Sequence, residues 1–234
     1  MKWLHLLCFT ALLCAAGWAC VLLSPAKAVF APQSDRRLVV IDAGHGGSDG
    51  GAVSLDGSVK ESTVNLQIAQ RLALLLMFCG EQVTMTRCDD GDLSSAEATT
   101  IREKKASDLK NRASFVNENG ADVLISIHQN SLPQHPGVSG AQVFYNGIAS
   151  AGSLASAVQD ALNQSINDRA KLSKAIDPSI YLMKEVRCPA ILAECGFLSN
   201  SSDTQLLCSQ AHQMKLSLAI AAGYLLFVSE GGIP

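Results

Sequence analysis

The sequence has no surplus of basic residues. Its 234 residues include 18 Lys and Arg against 21 Asp and Glu, which gives a net charge of −3. Two of the lysines lie in residues 1–28, which contain no acidic residue, so the rest of the chain carries a net charge of −5. Proteins that bind nucleic acid need a basic patch to meet the phosphates. We therefore expect no nucleic-acid partner.

Paired cysteines are also missing. Three of the eight cysteines lie in the N-terminal apolar segment, and the other five are Cys79, Cys88, Cys188, Cys195 and Cys208. An odd number of cysteines without any C-x-x-C spacing argues against a disulfide framework and against a cysteine zinc site. We predict that these five residues are buried thiols.

Charge is absent from residues 3–23, WLHLLCFTALLCAAGWACVLL. This apolar run has about the ~20 residues that span a bilayer, and Ala26 and Ala28 after it form an A-x-A cleavage signal. A buried core helix is the less specific alternative. We expect residues 1–28 to be either a cleaved signal peptide or an uncleaved membrane anchor, followed by a short linker at 29–36. Both readings place the rest of the chain outside the cytoplasmic membrane.

The remaining chain shows no internal repeat, no low-complexity linker and no second module. Apolar runs alternate with segments of helical periodicity, a pattern that predicts an α/β fold with a mostly parallel sheet. We therefore predict one three-layer domain at residues 37–230, with a twisted sheet between helices. The predicted strands are 38–42, 82–87, 122–127, 141–145 and 189–194. The predicted helices are 58–80, 107–119, 151–166 and 203–228, and 88–107 is predicted to be a long loop.

Three polar residues stand at the carboxyl ends of predicted strands. His45 is three residues past the first strand, in VVIDAGHGGSDGGA; His128 follows VLISI; and Glu194 ends AILAE. Sites in parallel sheets form beyond the carboxyl ends of the strands, so we expect these residues to converge at one edge. A single histidine is ordinarily structural, whereas two at strand ends favour metal ligation.

Two histidines and a carboxylate suit Zn²⁺, whose catalytic sites use three protein ligands and keep one position open. The candidate for the third ligand is Glu61, in the first turn of the helix after the glycine-rich loop. Ser58 and Glu61 also fit an S-x-x-E capping box, which alone would explain the glutamate. The residues by themselves leave both explanations open.

Five motifs together resemble the zinc-dependent N-acetylmuramoyl-L-alanine amidases of the amidase 3 family, in family order over residues 37–228. The resemblance implies zinc ligation by His45, Glu61 and His128. It implies that Glu194 is the catalytic acid/base in hydrolysis of the amide between N-acetylmuramic acid and L-alanine. The motifs are VVIDAGHGGSDGGA, KESTVNLQIAQRL, MTR, LKNRASFVNENGADVLISIHQN and PAILAECGFLSN.

Within that family, residues 89–122 are most similar to the spore-cortex type of endospore formers. This similarity implies action on peptidoglycan during cortex maturation, in muramic lactam formation required for germination. The enzyme would act outside the cytoplasmic membrane, either secreted or anchored. An activating protein partner is not identifiable from the sequence. The glycines around His45 are expected to let a glycan strand approach the metal.

Three other functions remain open from the sequence. An exported zinc peptidase or deacetylase acting on the cell wall would use the same chemistry. A non-catalytic wall-binding protein is expected to lack one of the four site residues, and all four are present. A hydrolase with Cys195 as its nucleophile is the third alternative. However, strand alternation predicts that Cys195 faces away from Glu194.

Overall fold

The computed structural model describes residues 37–232. The predicted signal peptide or anchor at 1–28 and the predicted linker at 29–36 lie outside this range, so both stay predictions. The described residues cluster as one compact unit.

The described chain forms six strands and six helices, whose order follows the predicted alternation. The strands are β1 (Leu38–Ala43), β2 (Gln82–Met85), β3 (Val123–Asn130), β4 (Gln142–Tyr145), β5 (Lys174–Ala175) and β6 (Ala190–Phe197). The helices are α1 (Glu61–Phe78), α2 (Ile101–Glu118), α3 (Ala151–Ser165), α4 (Tyr181–Glu185), α5 (Ser201–Leu207) and α6 (Gln210–Ser229).

The strands form one sheet in the order β2-β1-β3-β6-β4-β5. Strands β2, β1, β3 and β6 run parallel, and β4 pairs antiparallel with β6. The carboxyl ends of the first four strands therefore meet at one edge of the sheet. The prediction of a mostly parallel sheet is confirmed.

Helices cover both faces of the sheet, because buried apolar residues alternate along the central strands. Val39 and Ile41 belong to a core shared with α1, α3 and α6, whereas Val40 and Leu124 pack in a second core with α2 and α4. Side chains two apart in a strand share a face. The predicted three-layer architecture is therefore confirmed.

Helix α6 is apolar on most sides because it lies inside the first core. Leu216, Ile220 and Tyr224 have no exposed surface. By length and composition α6 could cross a membrane, but half of its apolar window is buried in this domain. Its packing is that of the core helix of a globular protein.

The predicted long loop ends earlier than expected. Helix α2 begins at Ile101 rather than 107, because Thr100 accepts a hydrogen bond from the Glu103 amide while the Glu103 side chain bonds back to Thr100. This reciprocal capping box satisfies amides that a helix start leaves unpaired. Because the first turns of α2 are polar, apolar periodicity does not indicate a helix there.

Three further elements differ from prediction. The predicted closing helix at 203–228 is two helices, α5 and α6, because Asn200 and Ser209 each occupy an N-cap position. Helix α4 and strand β5 were not predicted, since five residues and two residues are too short to show a period.

The prediction that all five downstream cysteines are buried is wrong for three of them. All five are free thiols, but Cys79, Cys88 and Cys208 are exposed. Cys79 and Cys208 are the C-cap residues of α1 and α5, and helix ends lie at the surface. Only Cys188 and Cys195 are buried.

Candidate metal centre

The residues predicted to converge do meet at the carboxyl edge of the sheet. His128 pairs in register with Glu194 across β3 and β6. The chain leaving β1 places His45 beside them. All three residues line a cavity of about 260 Å³. The topology therefore brings together residues that are up to 149 positions apart in the chain.

The two histidines and Glu61 form a cluster that can hold a metal ion. The Nε2 atom of His45 lies 3.3 Å from Glu61 Oε1, and the Nδ1 atom of His128 lies 3.0 Å from the same oxygen. One ligand atom from each residue lies within 4.8 Å of the others. The two imidazole rings meet edge to face, with centroids 5.1 Å apart.

The carboxylate of Glu61 is held by backbone and side-chain donors. Its Oε2 accepts from the Ala52 amide at 2.8 Å, and its Oε1 accepts from the Gln129 amide at 3.1 Å and from Asn65 at 3.3 Å. Burial disfavours its charge, but hydrogen bonds from both histidines outweigh burial and lower the pKa of Glu61. Glu61 therefore stays ionised, as a metal ligand must.

The capping explanation for Glu61 is wrong. Lys60 is the N-cap of α1, and the helix start has no side-chain capping bond. The Ser58 hydroxyl donates to Asp56 instead, at 2.8 Å. The first turn of α1 therefore presents Glu61 to the two histidines and not to its own backbone.

A second carboxylate orients His45. Asp49 Oδ2 lies 3.0 Å from His45 Nδ1, and two backbone hydrogen bonds between Gly46 and Asp49 close the turn between them. An ionised carboxylate can only accept, so Asp49 keeps a proton on His45 Nδ1. Loss of the other ring proton, which faces Glu61, leaves a lone pair on Nε2 for coordination. Burial lowers the pKa of His45, but the interactions with Glu61 and Asp49 together raise it by a larger amount, so the net shift of this pKa is upward.

Glycine is required at two positions because the metal-site side chains fill the space. A Cβ atom on Gly44 would lie 2.3 Å from the His128 ring. Gly51 has a φ of +69°, and a Cβ there would lie 2.6 Å from Glu61 Oε2. Such positions favour glycine both sterically and conformationally. These two glycines therefore make room for side chains of the protein itself. From the sequence, the glycines around His45 are expected to make room for a glycan strand instead.

Two buried arginines that the sequence did not single out as site residues hold the loop that carries His45. Arg112 donates to the carbonyl oxygens of Ala43 and His45 at 2.8 and 2.7 Å. Arg87 donates to the carbonyl oxygens of Ala43 and Gly44 at 2.8 and 3.1 Å. Three successive carbonyls are thus fixed from two sides, by α2 and by the end of β2.

Arg112 is also paired with two buried carboxylates. Its guanidinium bonds Asp42 at 2.7 Å and Asp108 at 2.8 Å. Burial opposes the charge of Asp42, but Arg112 and hydrogen bonds from Ser126 and Thr86 outweigh burial and lower its pKa to about 2. Asp42 and both arginines lie inside recognisable motifs, but no spacing in the sequence indicates that they pair.

Glu194 faces the cluster without belonging to it. Its Oε2 atom is buried and has no hydrogen-bond partner in the described part of the chain. Burial raises the pKa of Glu194 to about 7, with a smaller opposing effect from His128. A carboxylate with this pKa can both accept and return a proton near neutral pH.

Cys195 lies on the opposite face of β6, in the core shared with α1, α3 and α6. Its Sγ atom is 3.6 Å from the Ala193 carbonyl oxygen, and burial raises the pKa of the thiol well above its ordinary value. Reactive cysteines have accessible thiolates. The predicted orientation of Cys195 is therefore correct, and the geometry gives no support to a cysteine nucleophile.

The residues at this edge fit a divalent metal ion. Two imidazole nitrogens and one carboxylate oxygen form the donor set of three-ligand zinc sites. The unpartnered Glu194 oxygen supplies a proton acceptor beside them. The cavity leaves space for a substrate next to the cluster.

Comparison with known proteins agrees with this geometry. The sequence profile of the amidase 3 family, described as N-acetylmuramoyl-L-alanine amidase, matches residues 39–225. The germination-specific N-acetylmuramoyl-L-alanine amidase of Bacillus subtilis is 38% identical over 199 residues, which cover 85% of this chain and 82% of that protein.

Solved structures show the same fold. The CwlD amidase of Clostridioides difficile, solved in complex with the GerS lipoprotein, has a TM-score of 0.80 and 34% identity, over 83% of this chain and 100% of that one. An N-acetylmuramoyl-L-alanine amidase of Clostridium difficile 630 has a TM-score of 0.73 and 31% identity, over 84% and 98%. The chain belongs to the amidase 3 family of N-acetylmuramoyl-L-alanine amidases.

Proposed function

We propose that this amidase depends on zinc held by His45, Glu61 and His128, and that Glu194 is its catalytic acid/base. The observation that carries the proposal is the cluster of two imidazoles and one ionised carboxylate, with the unpartnered oxygen of Glu194 beside it. The substrate is the amide between N-acetylmuramic acid and L-alanine in peptidoglycan.

The side chains of the site divide the chemistry between them. Bound zinc supplies a Lewis acid that polarises a carbonyl and makes water a better nucleophile. Glu194 accepts the proton of the attacking water, since burial has raised its pKa to about 7. It then delivers that proton to the amide nitrogen, so that L-alanine leaves as an amine rather than as an unstable amide anion.

The supporting residues keep the ligands in place during this cycle. Asp49 fixes the ring of His45 through Nδ1, and Gln129 and Ala52 fix Glu61 through their amides. Such hydrogen bonds to metal ligands set orientation and basicity. Because the backbone around His45 is held by Arg87 and Arg112, the site is preorganised before substrate binds.

The biological role proposed is maturation of the spore cortex. Removal of stem peptides would precede muramic lactam formation, which germination requires. The germination-specific amidase of B. subtilis, 38% identical to this chain, supports this role. The enzyme would act outside the cytoplasmic membrane, and its apolar residues 3–23 would direct export or anchoring.

A protein partner is part of the proposal. The C. difficile CwlD amidase was solved in complex with a lipoprotein, and its structure covers 83% of this chain. An activating partner for the present amidase would therefore belong to the same exported compartment. Peptidoglycan remains the substrate.

Digestion of purified peptidoglycan tests this function. Free stem peptides with L-alanine at the N-terminus are expected, together with about one zinc per chain by metal analysis. A chelator should abolish release, and added zinc should restore it. New N-termini at other residues would indicate a peptidase, and release of acetate would indicate a deacetylase. Full activity of metal-free protein would refute the zinc assignment.

A further inference from the structure

The mouth of the active-site cavity carries one accessible ammonium group. Lys105 of α2 lines the cavity, and its side chain is 53% exposed. Its Nζ atom lies 3.1 Å from Asp49 Oδ2, and no other partner occurs within residues 37–232. An ammonium has three donors, so two of them are available to a ligand.

Arg112 also lines the cavity, but its guanidinium is already hydrogen-bonded to groups of the protein. Arg112 is fully buried and bonds Asp42, Asp108 and two backbone carbonyls. Together, Asp42, Asp108 and Arg112 carry a net negative charge. The donors of Arg112 are committed to groups of the protein, and Lys105 is therefore the lysine or arginine of this lining that keeps donors free for an anionic part of a substrate.

The ammonium is at a useful distance from the reacting amide. Lys105 Nζ lies 3.1 Å from Asp49 Oδ2, and the same oxygen lies 3.0 Å from His45 Nδ1. Because the two nitrogens of an imidazole ring are about 2 Å apart, Nζ lies within about 8 Å of His45 Nε2. Two extended residues span at most about 7 Å. When the scissile carbonyl lies at the metal cluster, a carboxylate on the residue after L-alanine can therefore reach Lys105.

We propose that Lys105 determines substrate specificity by binding the carboxylate of the acidic residue that follows L-alanine in the stem peptide. The inference rests on the proposed function and adds that the cavity binds the stem peptide through this carboxylate. The cavity is also lined by the apolar side chains of Leu182, Met183 and Leu192, which suit the methyl groups next to the scissile amide. Lys105 would thus orient the peptide away from the glycan.

Paired substrates test this specificity. Two disaccharide peptides are compared that differ only in the residue after L-alanine, which carries either a free carboxylate or the corresponding primary amide. Wild type should cleave the carboxylate form with about tenfold higher kcat/KM, mainly through KM, since a charge-assisted hydrogen bond at a half-exposed site has about that effect. Lys105→Met should lose this preference, and Lys105→Arg should keep it.

The ratio between the two substrates separates binding from any disturbance of Asp49 and His45, because such a disturbance lowers both rates equally. Lys110→Met, an exposed lysine on the same helix outside the cavity, controls for net charge. Binding constants measured in a Glu194→Gln background give the same ratio without turnover. Equal kcat/KM for both substrates in wild type, or an unchanged preference in Lys105→Met, would overturn the inference. Cleavage of neither substrate by wild type would instead contradict the amidase function.

Discussion

At the scale of single residues, the environment of Glu194 assigns its role better than its position in the chain does. Burial raises its pKa to about 7, and its Oε2 atom has no partner within the described chain. A carboxyl group with a pKa near 7 is suited to proton transfer at physiological pH. This is a property of the folded site, because the same residue in an unfolded chain has an ordinary pKa.

Replacing Glu194 with glutamine should remove catalysis and keep the site. Glutamine has nearly the same volume but cannot accept the water proton, so turnover should fall by at least about 10²-fold. Bound zinc should remain, since Glu194 is outside the ligand cluster. Turnover on purified peptidoglycan and metal content are measured on the same sample. Zinc retention with more than about a tenth of wild-type turnover would contradict the assignment.

The same substitution should stabilise the metal-free protein at alkaline pH. Folding raises the pKa of Glu194 from 4.5 to about 7, so its contribution to stability is complete below pH 4.5 and is lost as the pH rises through 7. Glu194→Gln should therefore nearly match wild type at pH 4 and exceed it at pH 8.5 by roughly 3 kcal/mol. Urea unfolding in chelator measures both. A difference that does not change with pH would show that burial does not raise this pKa.

Variants of Glu61 and Ser58 distinguish metal ligation by Glu61 from capping of helix α1. Glu61→Gln should lose bound zinc and activity together, because a neutral amide is a poor replacement for an ionised ligand. Ser58→Ala should keep both and change the free energy of unfolding by less than about 0.5 kcal/mol, whereas a lost cap costs about 1 kcal/mol. Metal analysis and urea unfolding make the comparison. Zinc retained in Glu61→Gln would contradict ligation.

At the scale of elements, the ends of the buried strands were predictable and the polar segments between them were not. VVIDA, VLISI and AILAE are short apolar runs, and their order implies parallel strands whose carboxyl ends meet. That reasoning located His45, His128 and Glu194. It could not locate Lys105 or Arg112, since the first turns of α2 are polar and the pairing of Arg112 with Asp42 joins residues 70 positions apart.

Helix α2 should therefore depend on Arg112 more than on any of its exposed residues. Arg112→Met leaves Asp42 and Asp108 buried without a counter-charge, which should cost about 3–5 kcal/mol. Lys110→Met, two residues away on the exposed side, should change stability by less than about 0.5 kcal/mol. Urea unfolding of both variants measures the contrast. Nearly equal losses would mean that the loop carrying His45 is held by Arg87 and the backbone alone.

At the scale of the whole molecule, the site and its support lie within one compact unit. The metal cluster, Glu194 and both buried arginines come from residues 45–194, and the first of the two cores around them is completed by α6. The sequence predicts that the domain begins near residue 37, because the uncharged run ends before the alternation of strands and helices begins. It could not predict how the segment before the domain is processed, since signal peptides and anchors share the same composition.

Residues 36–234 expressed alone should fold, bind zinc and keep activity on purified peptidoglycan. The physical reason is that every described strand and helix, and every side chain of the site, lies in this range. Circular dichroism, metal content and turnover are compared with those of the longer chain, and N-terminal sequencing of protein from the producing cells shows whether residues 1–28 are removed. An insoluble or zinc-free product, obtained where the longer chain is sound, would show that the domain needs its N-terminal segment to fold. Equal turnover would leave that segment with export or anchoring as its role.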